Sequence, residues 1–308
     1  MKFIKRNLPF PVLTLALNIA TLCVSAFYLF EVTSLKKPHL LRKLGAPDAY
    51  YIYSGEWWGV ITNTFTHSHL ILLLFNLTGL WILGAFLERR SGWISLLLLG
   101  IFSSLITSVI QLNLVDDPGL GMSRVNYFLL GYIILKSSHD KQFSFTLLPL
   151  AIFVAITGIV LIILSNQFYG SNIGLESILS GLLTGAILGM IRSSRLRIVS
   201  GITLSVVAFG TLVYAPWSAT WNFTKAVKYH QNNELVLAEH YYDKALQIEP
   251  TMDDARYNLI LIQIDRLSDE AYKLHANKHY QEARRIYEEI LKLDTQNYWA
   301  KQQIKALP

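Results

Sequence analysis

The chain has 308 residues, 52% of them hydrophobic and only 16% charged, with 27 Lys and Arg against 21 Asp and Glu. At that length a mean hydropathy of +0.36 excludes an ordinary water-soluble domain, and the net charge of +6 is no nucleic-acid signature, because much of the basic excess sits where it meets anionic lipid. Cys23 is the single cysteine, which excludes an intramolecular disulfide, and the sequence has no glycine-rich phosphate loop, C-x-x-C pair or His-Glu-x-x-His run, so neither a cofactor nor a metal is expected.

Crossing about 30 Å of hydrocarbon takes roughly 20 apolar residues, and the chain carries about seven such runs, at 9–31, 69–87, 93–112, 124–136, 144–165, 174–193 and 198–217. The first follows Lys2, Lys5 and Arg6. The small triplet Val24-Ser25-Ala26 offers a signal-peptide reading, but the run continues through Phe27-Tyr28-Leu29-Phe30, too long for a cleaved core, which favours a retained helix. The segment "SLKKPHLLRKLG", with Lys36, Lys37, Arg42 and Lys43 among spaced leucines, reads as an interfacial helix on lipid head groups.

Trp57 and Trp58 anchor the entry to the second span. His67 and His69 lie near its outer end, and helical spacing places Asn76 two to three turns below His67, so that both face one cavity. The plainer alternative leaves the histidines among head groups and gives Asn76 one interhelical hydrogen bond. Ser123, in "PGLGMSRVNYFLLGY", opens the short fourth span, whose outer end is expected to stop at a polar pocket. A lone G-x-S is weak, since serine is a common packing residue in membrane helices. The sixth span, "ESILSGLLTGAILG", sets glycines four residues apart, the spacing for close helix contact. Basic residues at Lys2, Lys5 and Arg6, at Arg89 and Arg90, at Lys136 and Lys141, and at Arg192, Arg195 and Arg197 occupy alternate connections. That pattern places the N-terminus in the cytoplasm and, after an odd number of crossings, the C-terminal unit outside. Seven spans without a targeting presequence fit a bacterial cytoplasmic membrane best.

From Ser218 the apolar runs stop and charge returns, which divides the chain into a membrane domain, 1–217, and a soluble domain, 218–308. Ala226, Tyr229, Ala238, Tyr242, Ala245 and Pro250 stand at the offsets of a tetratricopeptide repeat, and Ala271, Leu274, Ala283, Tyr287 and Ile290 form a second copy. The plain alternative is a set of charged helical hairpins. Ala238 and Ala283 are 45 residues apart where the repeat needs about 34, which predicts about three extra helical turns between them. The expected fold class is therefore all-α: a polytopic bundle of about seven membrane helices followed by a soluble helical-repeat domain. Its expected partners are membrane lipids and a peptide or protein held by the repeats, with no nucleic acid.

"SGEWWGVITNTFTH", the Asn in "LFNLTGLWILGAFLERRSG", "GMSRVNYFLLGY" and the glycine ladder, in that order over roughly residues 45–195, resemble the rhomboid intramembrane serine proteases. The resemblance implies a compact bundle whose fourth helix starts with a nucleophilic serine, served by a histidine on the sixth helix and an oxyanion pocket from the second. It maps Ser123 onto the nucleophile, Tyr127 onto the aromatic that packs on the catalytic histidine, Gly131 onto a later motif glycine, and Asn76 and His67 onto second-helix polar positions. The departures are Ile178 at the histidine position, Arg124 in place of the glycine after the serine, and Leu72 at a further polar position four residues before Asn76. A serine hydroxyl is a poor nucleophile until a neighbouring base takes its proton, and isoleucine cannot.

Three functional readings follow. The first is a rhomboid-like protein that binds transmembrane or membrane-protein clients without cutting them, the outer repeats recruiting the client. The second is a working protease that uses Ser123 with an unorthodox base, His67 or Glu176. The third is a scaffold with a closed pocket in which only the repeats bind. Glu176 also has a structural use: near the outer ends of their helices, Arg124 and Glu176 are expected to form an ion pair across the emptied site, since a lone charge at mid-membrane costs about 2.5–3.5 kcal/mol.

Overall fold

A computed structural model of the chain describes residues 10–35, 39–144, 148–169 and 175–308; Lys2, Lys5, Arg6, Lys36 and Lys37 of the charge pattern lie outside the described residues. The chain forms two compact units, Met1–Ala215 and Pro216–Pro308, and every regular element among the described residues is helical. The first unit comprises α1 (Val12–Leu35), α2 (His39–Lys43), α3 (Ala49–Tyr53), α4 (Gly59–Thr62), α5 (Leu70–Ser91), α6 (Trp93–Val115), α7 (Ser123–Ser137), α8 (Leu148–Tyr169), α9 (Leu175–Met190) and α10 (Ser194–Val213).

Each expected span coincides with a helix. Among the described residues four stretches, Val12–Phe30, Leu70–Ser91, Trp93–Val115 and Ser194–Val213, are long and apolar enough to cross a membrane, and Leu148–Leu164 and Ile178–Met190 are shorter apolar helices. The last span runs four residues earlier than expected. Ser193 starts it by accepting a hydrogen bond from the Leu196 amide, and the extended backbone at Tyr214 ends it just ahead of Pro216, which disfavours helical geometry in the residue before it. The interfacial segment contributes the short helix α2. There Arg42 is bound to Glu56 by a salt bridge and lies 3.9 Å over the Tyr51 ring, so one of its cations serves the fold.

The short helix α7 is buried on all sides from Arg124 to Ile133, which is why its apolar residues follow no amphipathic period. Val125, Phe128, Leu129 and Ile133 pack with Leu80, Leu83 and Leu87 of α5, Leu96 of α6 and Leu188 of α9 in one core. Its closest neighbour is α9, and the glycine ladder explains how. A Cβ at Gly181 would strike the carbonyl oxygen of Arg124, one at Gly185 that of Phe128, and one at Gly189 that of Tyr132, while Gly131 meets the Leu182 carbonyl in return. Two four-residue ladders thus mesh, backbone on backbone.

A buried carboxylate fixes the start of α1. Glu88, near the end of α5, accepts hydrogen bonds from the amides of Leu13 (2.9 Å) and Thr14 (2.8 Å) and from the Thr14 hydroxyl (2.7 Å). Those amides have no partner within their own helix, and an anion at a helix N-terminus also faces the favourable end of its dipole. With charge-assisted bonds each worth about 1.5–3 kcal/mol, Glu88→Ala is expected to destabilise the first unit by about 2–4 kcal/mol. A thermal melt in detergent checks this, with Glu88→Gln expected to lose less.

The second unit holds α11 (Ala219–Gln231), α12 (Leu235–Ile248), α13 (Asp253–Ala276), α14 (Tyr280–Leu293) and α15 (Tyr298–Ala306). Its two cores repeat one another: Ala226, Ala238, Tyr242, Ala245 and Ala255 in the first correspond to Ala271, Ala283, Tyr287, Ile290 and Ala300 in the second, each 45 residues on. The contacts repeat as well. His230 Nδ1 lies 3.4 Å from Tyr242 Oη and His275 Nδ1 lies 3.2 Å from Tyr287 Oη, and burial raises the Tyr287 phenol above its ordinary pKa. Asn233 and Lys278 turn each helical pair in the left-handed region. The extra residues of the long period are absorbed by α13, a single helix of 24 residues that contributes Ala255 and Ile262 to the first core and Ile264 and Ala271 to the second.

Candidate active site

Ser123 is the first residue of α7 and is half-buried. The chain reaches it through a loop in which Gly119 and Gly121 both have positive φ. At Gly121 the amide donates to the Asn63 carbonyl at 3.0 Å, and a Cβ there would stand 3.2 Å from the His67 ring. Only glycine meets the left-handed backbone and the close approach without strain.

His67 does not lie on the second long helix. Its neighbour His69 is the extended residue that precedes α5, and the loop folds His67 inward until it is 3% exposed. The Met122 amide donates to His67 Nε2 at 3.1 Å, and the Asn76 side-chain amide lies 3.0 Å from the same nitrogen. Because a backbone N–H can only donate, Nε2 is the acceptor and the ring proton sits on Nδ1, where Ser25 Oγ receives it at 3.1 Å while itself donating to the Phe65 carbonyl at 2.9 Å. Asn126, one turn beyond Ser123, donates to the Asn76 carbonyl (2.9 Å) and to Asn76 Oδ1 (3.2 Å). A cavity of about 20 Å³ lined by Asn76, Gly79, Asn126 and Tyr127 lies beside this network, enough for about one water molecule.

The expected pairing of His67 with Asn76 therefore comes about by a loop that folds back, not by helical spacing. The network links α1, the loop before α5, α5 itself and α7. Sequence reasoning missed two of its members. Asn126 carried a signal, an intramembrane amide three residues after the serine and so on its face of the helix; Ser25 carried none, being hidden in the small triplet.

The ion pair expected between Arg124 and Glu176 is not formed. Glu176 is exposed at the start of α9. Arg124 is 1% exposed, with its guanidinium donating to the Pro118 carbonyl and lying 3.5 Å from Thr64 Oγ1, and the carboxylate that acts on it is Asp117. The long arginine side chain turns back to the loop that precedes its own helix, where it ties down the approach to Ser123. Glu176→Gln is accordingly expected to change stability by no more than about 0.5 kcal/mol, as for surface substitutions generally. A loss of several degrees in melting temperature, non-additive with Arg124→Ala, is the result that would restore the pair.

Ile178 is 1% exposed and packs with Tyr127 and Ile162 in a small apolar cluster flanked by Leu72, Leu175 and Leu182. Two of the departures from the protease pattern, Leu72 and Ile178, thus meet around the same tyrosine, whose hydroxyl donates to the Ala155 carbonyl of α8. Among the described residues the Ser123 hydroxyl has no hydrogen bond to His67 or to Glu176. The arrangement has a serine at a helix N-terminus, where backbone N–H groups can stabilise an oxyanion, with Ile178 and Leu72 in the apolar cluster at Tyr127.

A rhomboid domain model matches residues 54–195. The chain is 35% identical over 170 residues to the rhomboid protease GlpG of Haemophilus influenzae, an alignment covering 52% of this chain and 86% of that relative. It is 27% identical over 249 residues to the rhomboid protease GluP of Bacillus subtilis, covering 77% of this chain and 47% of the relative, and 34% identical over 87 residues to the GlpG protease of Salmonella newport, covering 28% and 32%. The chain therefore spans less than half the length of the latter two. The GluP alignment takes in more residues than the first unit contains, so it extends into the second.

Proposed function

From the premise that this chain belongs to the rhomboid family of integral membrane proteins, we propose that it binds transmembrane segments or membrane-protein clients and does not cleave them. The observation that carries this reading is Ile178, buried against Tyr127 and beside Leu72, where a catalytic base and a second polar group would stand. His67 is a poor substitute, since its acceptor nitrogen already receives the Met122 amide and faces the Asn76 side chain, and its donor nitrogen is bound to Ser25. Taking a proton from Ser123 would break that network. Glu176 is exposed at the start of α9 and, among the described residues, makes no hydrogen bond to Ser123.

In this reading the first unit has seven membrane spans, with the N-terminus in the cytoplasm of a bacterial cell. The second is an extracytoplasmic tetratricopeptide-like domain whose repeats hold a peptide or protein belonging to the client. Two such repeats are fewer than the three that usually bury a continuous core, so a bound partner would complete it.

The half-buried Ser123, with glycines framing its loop, favours a second reading, an intramembrane serine endopeptidase with an unorthodox base. Labelling of the purified, detergent-solubilised chain with a serine-reactive fluorophosphonate separates the two. The proposal expects the native chain to label no faster than Ser123→Ala; labelling that vanishes in Ser123→Ala hands the function to the protease reading, with His67 and Glu176 next to be replaced.

A further inference from the structure

The first unit has a second concavity, at the end opposite Ser123, where α5, α7 and α9 finish and α6 and α10 begin. It is a groove of about 830 Å³, within the range of about 300–1,000 Å³ typical of sites for small ligands. Leu98 and Phe102 of α6 and Ile202, Val206 and Phe209 of α10 form its walls. Leu98, Ile202 and Val206 are each 60% or more exposed, so the groove opens sideways, toward lipid. Gly201 keeps it wide, since a Cβ there would meet nothing closer than a Phe102 ring carbon at 3.8 Å.

One end of this hydrocarbon groove is basic. Arg197 and Lys136 line it together with the Tyr132 hydroxyl. Arg197 donates to the Ile191 carbonyl and lies 3.4 Å from Tyr132 Oη, while its Nε is buried without a hydrogen-bond partner. Lys136 sits 4.0 Å over the Phe143 ring and 4.0 Å from the Asp140 carboxylate. Two cations against one nearby carboxylate leave the mouth positive, and basic pockets between membrane helices suit anionic lipid head groups.

The geometry points to a binding site for an anionic glycerophospholipid, its acyl chains along the α6–α10 groove and its phosphate at Arg197 and Lys136. From Ser194 to Phe209 the groove follows about 22 Å of α10, which matches one leaflet of a hydrocarbon core about 30 Å thick plus a head group. An apolar client helix would bring no negative charge to the basic end, whereas an anionic head group complements Arg197 and Lys136. This site is separate from the Ser123 pocket and stands whether or not that pocket cleaves.

The test is native mass spectrometry of the full chain, released from detergent after equilibration with equal amounts of phosphatidylglycerol and phosphatidylcholine of identical chains. The native protein is expected to keep the anionic lipid with about thirtyfold preference, given roughly 1 kcal/mol for each of the two basic residues. Lys136→Gln/Arg197→Gln is expected to bring that preference below about twofold. Gly201→Trp, which fills the groove and leaves the charges in place, is expected to lower the occupancy of both lipids; Gly201→Leu repeats the test if the larger residue lowers the melting temperature. Equal retention of the two lipids by the native chain overturns the proposal, as does a preference unchanged by the charge or groove variants, which would mark general annular lipid. A retained peptide or second copy of the chain, displaced by Gly201→Trp, overturns it equally.

Discussion

Gly185→Leu is expected to abolish the folded first unit. A Cβ at that position would fall on the Phe128 carbonyl, with the Phe128 carbonyl carbon at 2.8 Å and its Cα at 2.9 Å. These are backbone atoms of a helix buried on all sides, and no rotamer change relieves the clash. Overpacking a core costs about 1–3 kcal/mol when side chains can yield; here a whole helix has to move, and the loss should exceed 3 kcal/mol out of a total of about 5–15. The chain should then be absent from the monodisperse fraction after solubilisation. Gly210→Leu is the control, because a Cβ at Gly210 meets nothing within 4 Å, and it should melt with the native protein. If Gly185→Leu also melts within a degree of the native chain, α7 and α9 do not touch through their backbones.

That prediction rests on a feature legible in the sequence, because membrane helices approach closely only where side chains are small, and glycines at a four-residue interval admit one reading. The helices themselves were legible for the same kind of reason: a bilayer enforces helical hydrogen bonding on any long apolar run. The path of His67 was not. Spacing arguments assume a continuous helix, and the loop Asn63–His69 carries an extended residue at Thr66 and another at His69 that no local signal marks. Arg124 was misjudged for a related reason. Its charge called for a partner, and the nearest carboxylate by helix position was Glu176; a flexible side chain instead reached a carbonyl six residues back. In the second unit the 45-residue spacing suggested extra helical turns, and spacing alone did not reveal that one continuous helix, α13, would serve both cores.

Ile178→His carries the second large effect, and it tests whether the Ser123 site is a protease lacking one group or a closed scaffold. Replacing Ile178 puts an imidazole against the Tyr127 ring on the helix that packs most closely along α7. General-base assistance contributes about 10²–10⁴-fold, so fluorophosphonate labelling of Ile178→His should exceed that of the native chain by at least two orders of magnitude and disappear in Ser123→Ala/Ile178→His. Two features work against this gain: the apolar cluster has no second polar group, because Leu72 occupies that position, and Arg124 fixes the loop ahead of Ser123 through the Pro118 carbonyl. Leu72→His added to Ile178→His should therefore raise labelling further by restoring a donor near the reacting centre. If both variants melt like the native chain and neither labels, the approach to the serine is closed. Client binding would then fall to the helical repeats of the second unit, and a client helix should fail to crosslink beside α5 and α8.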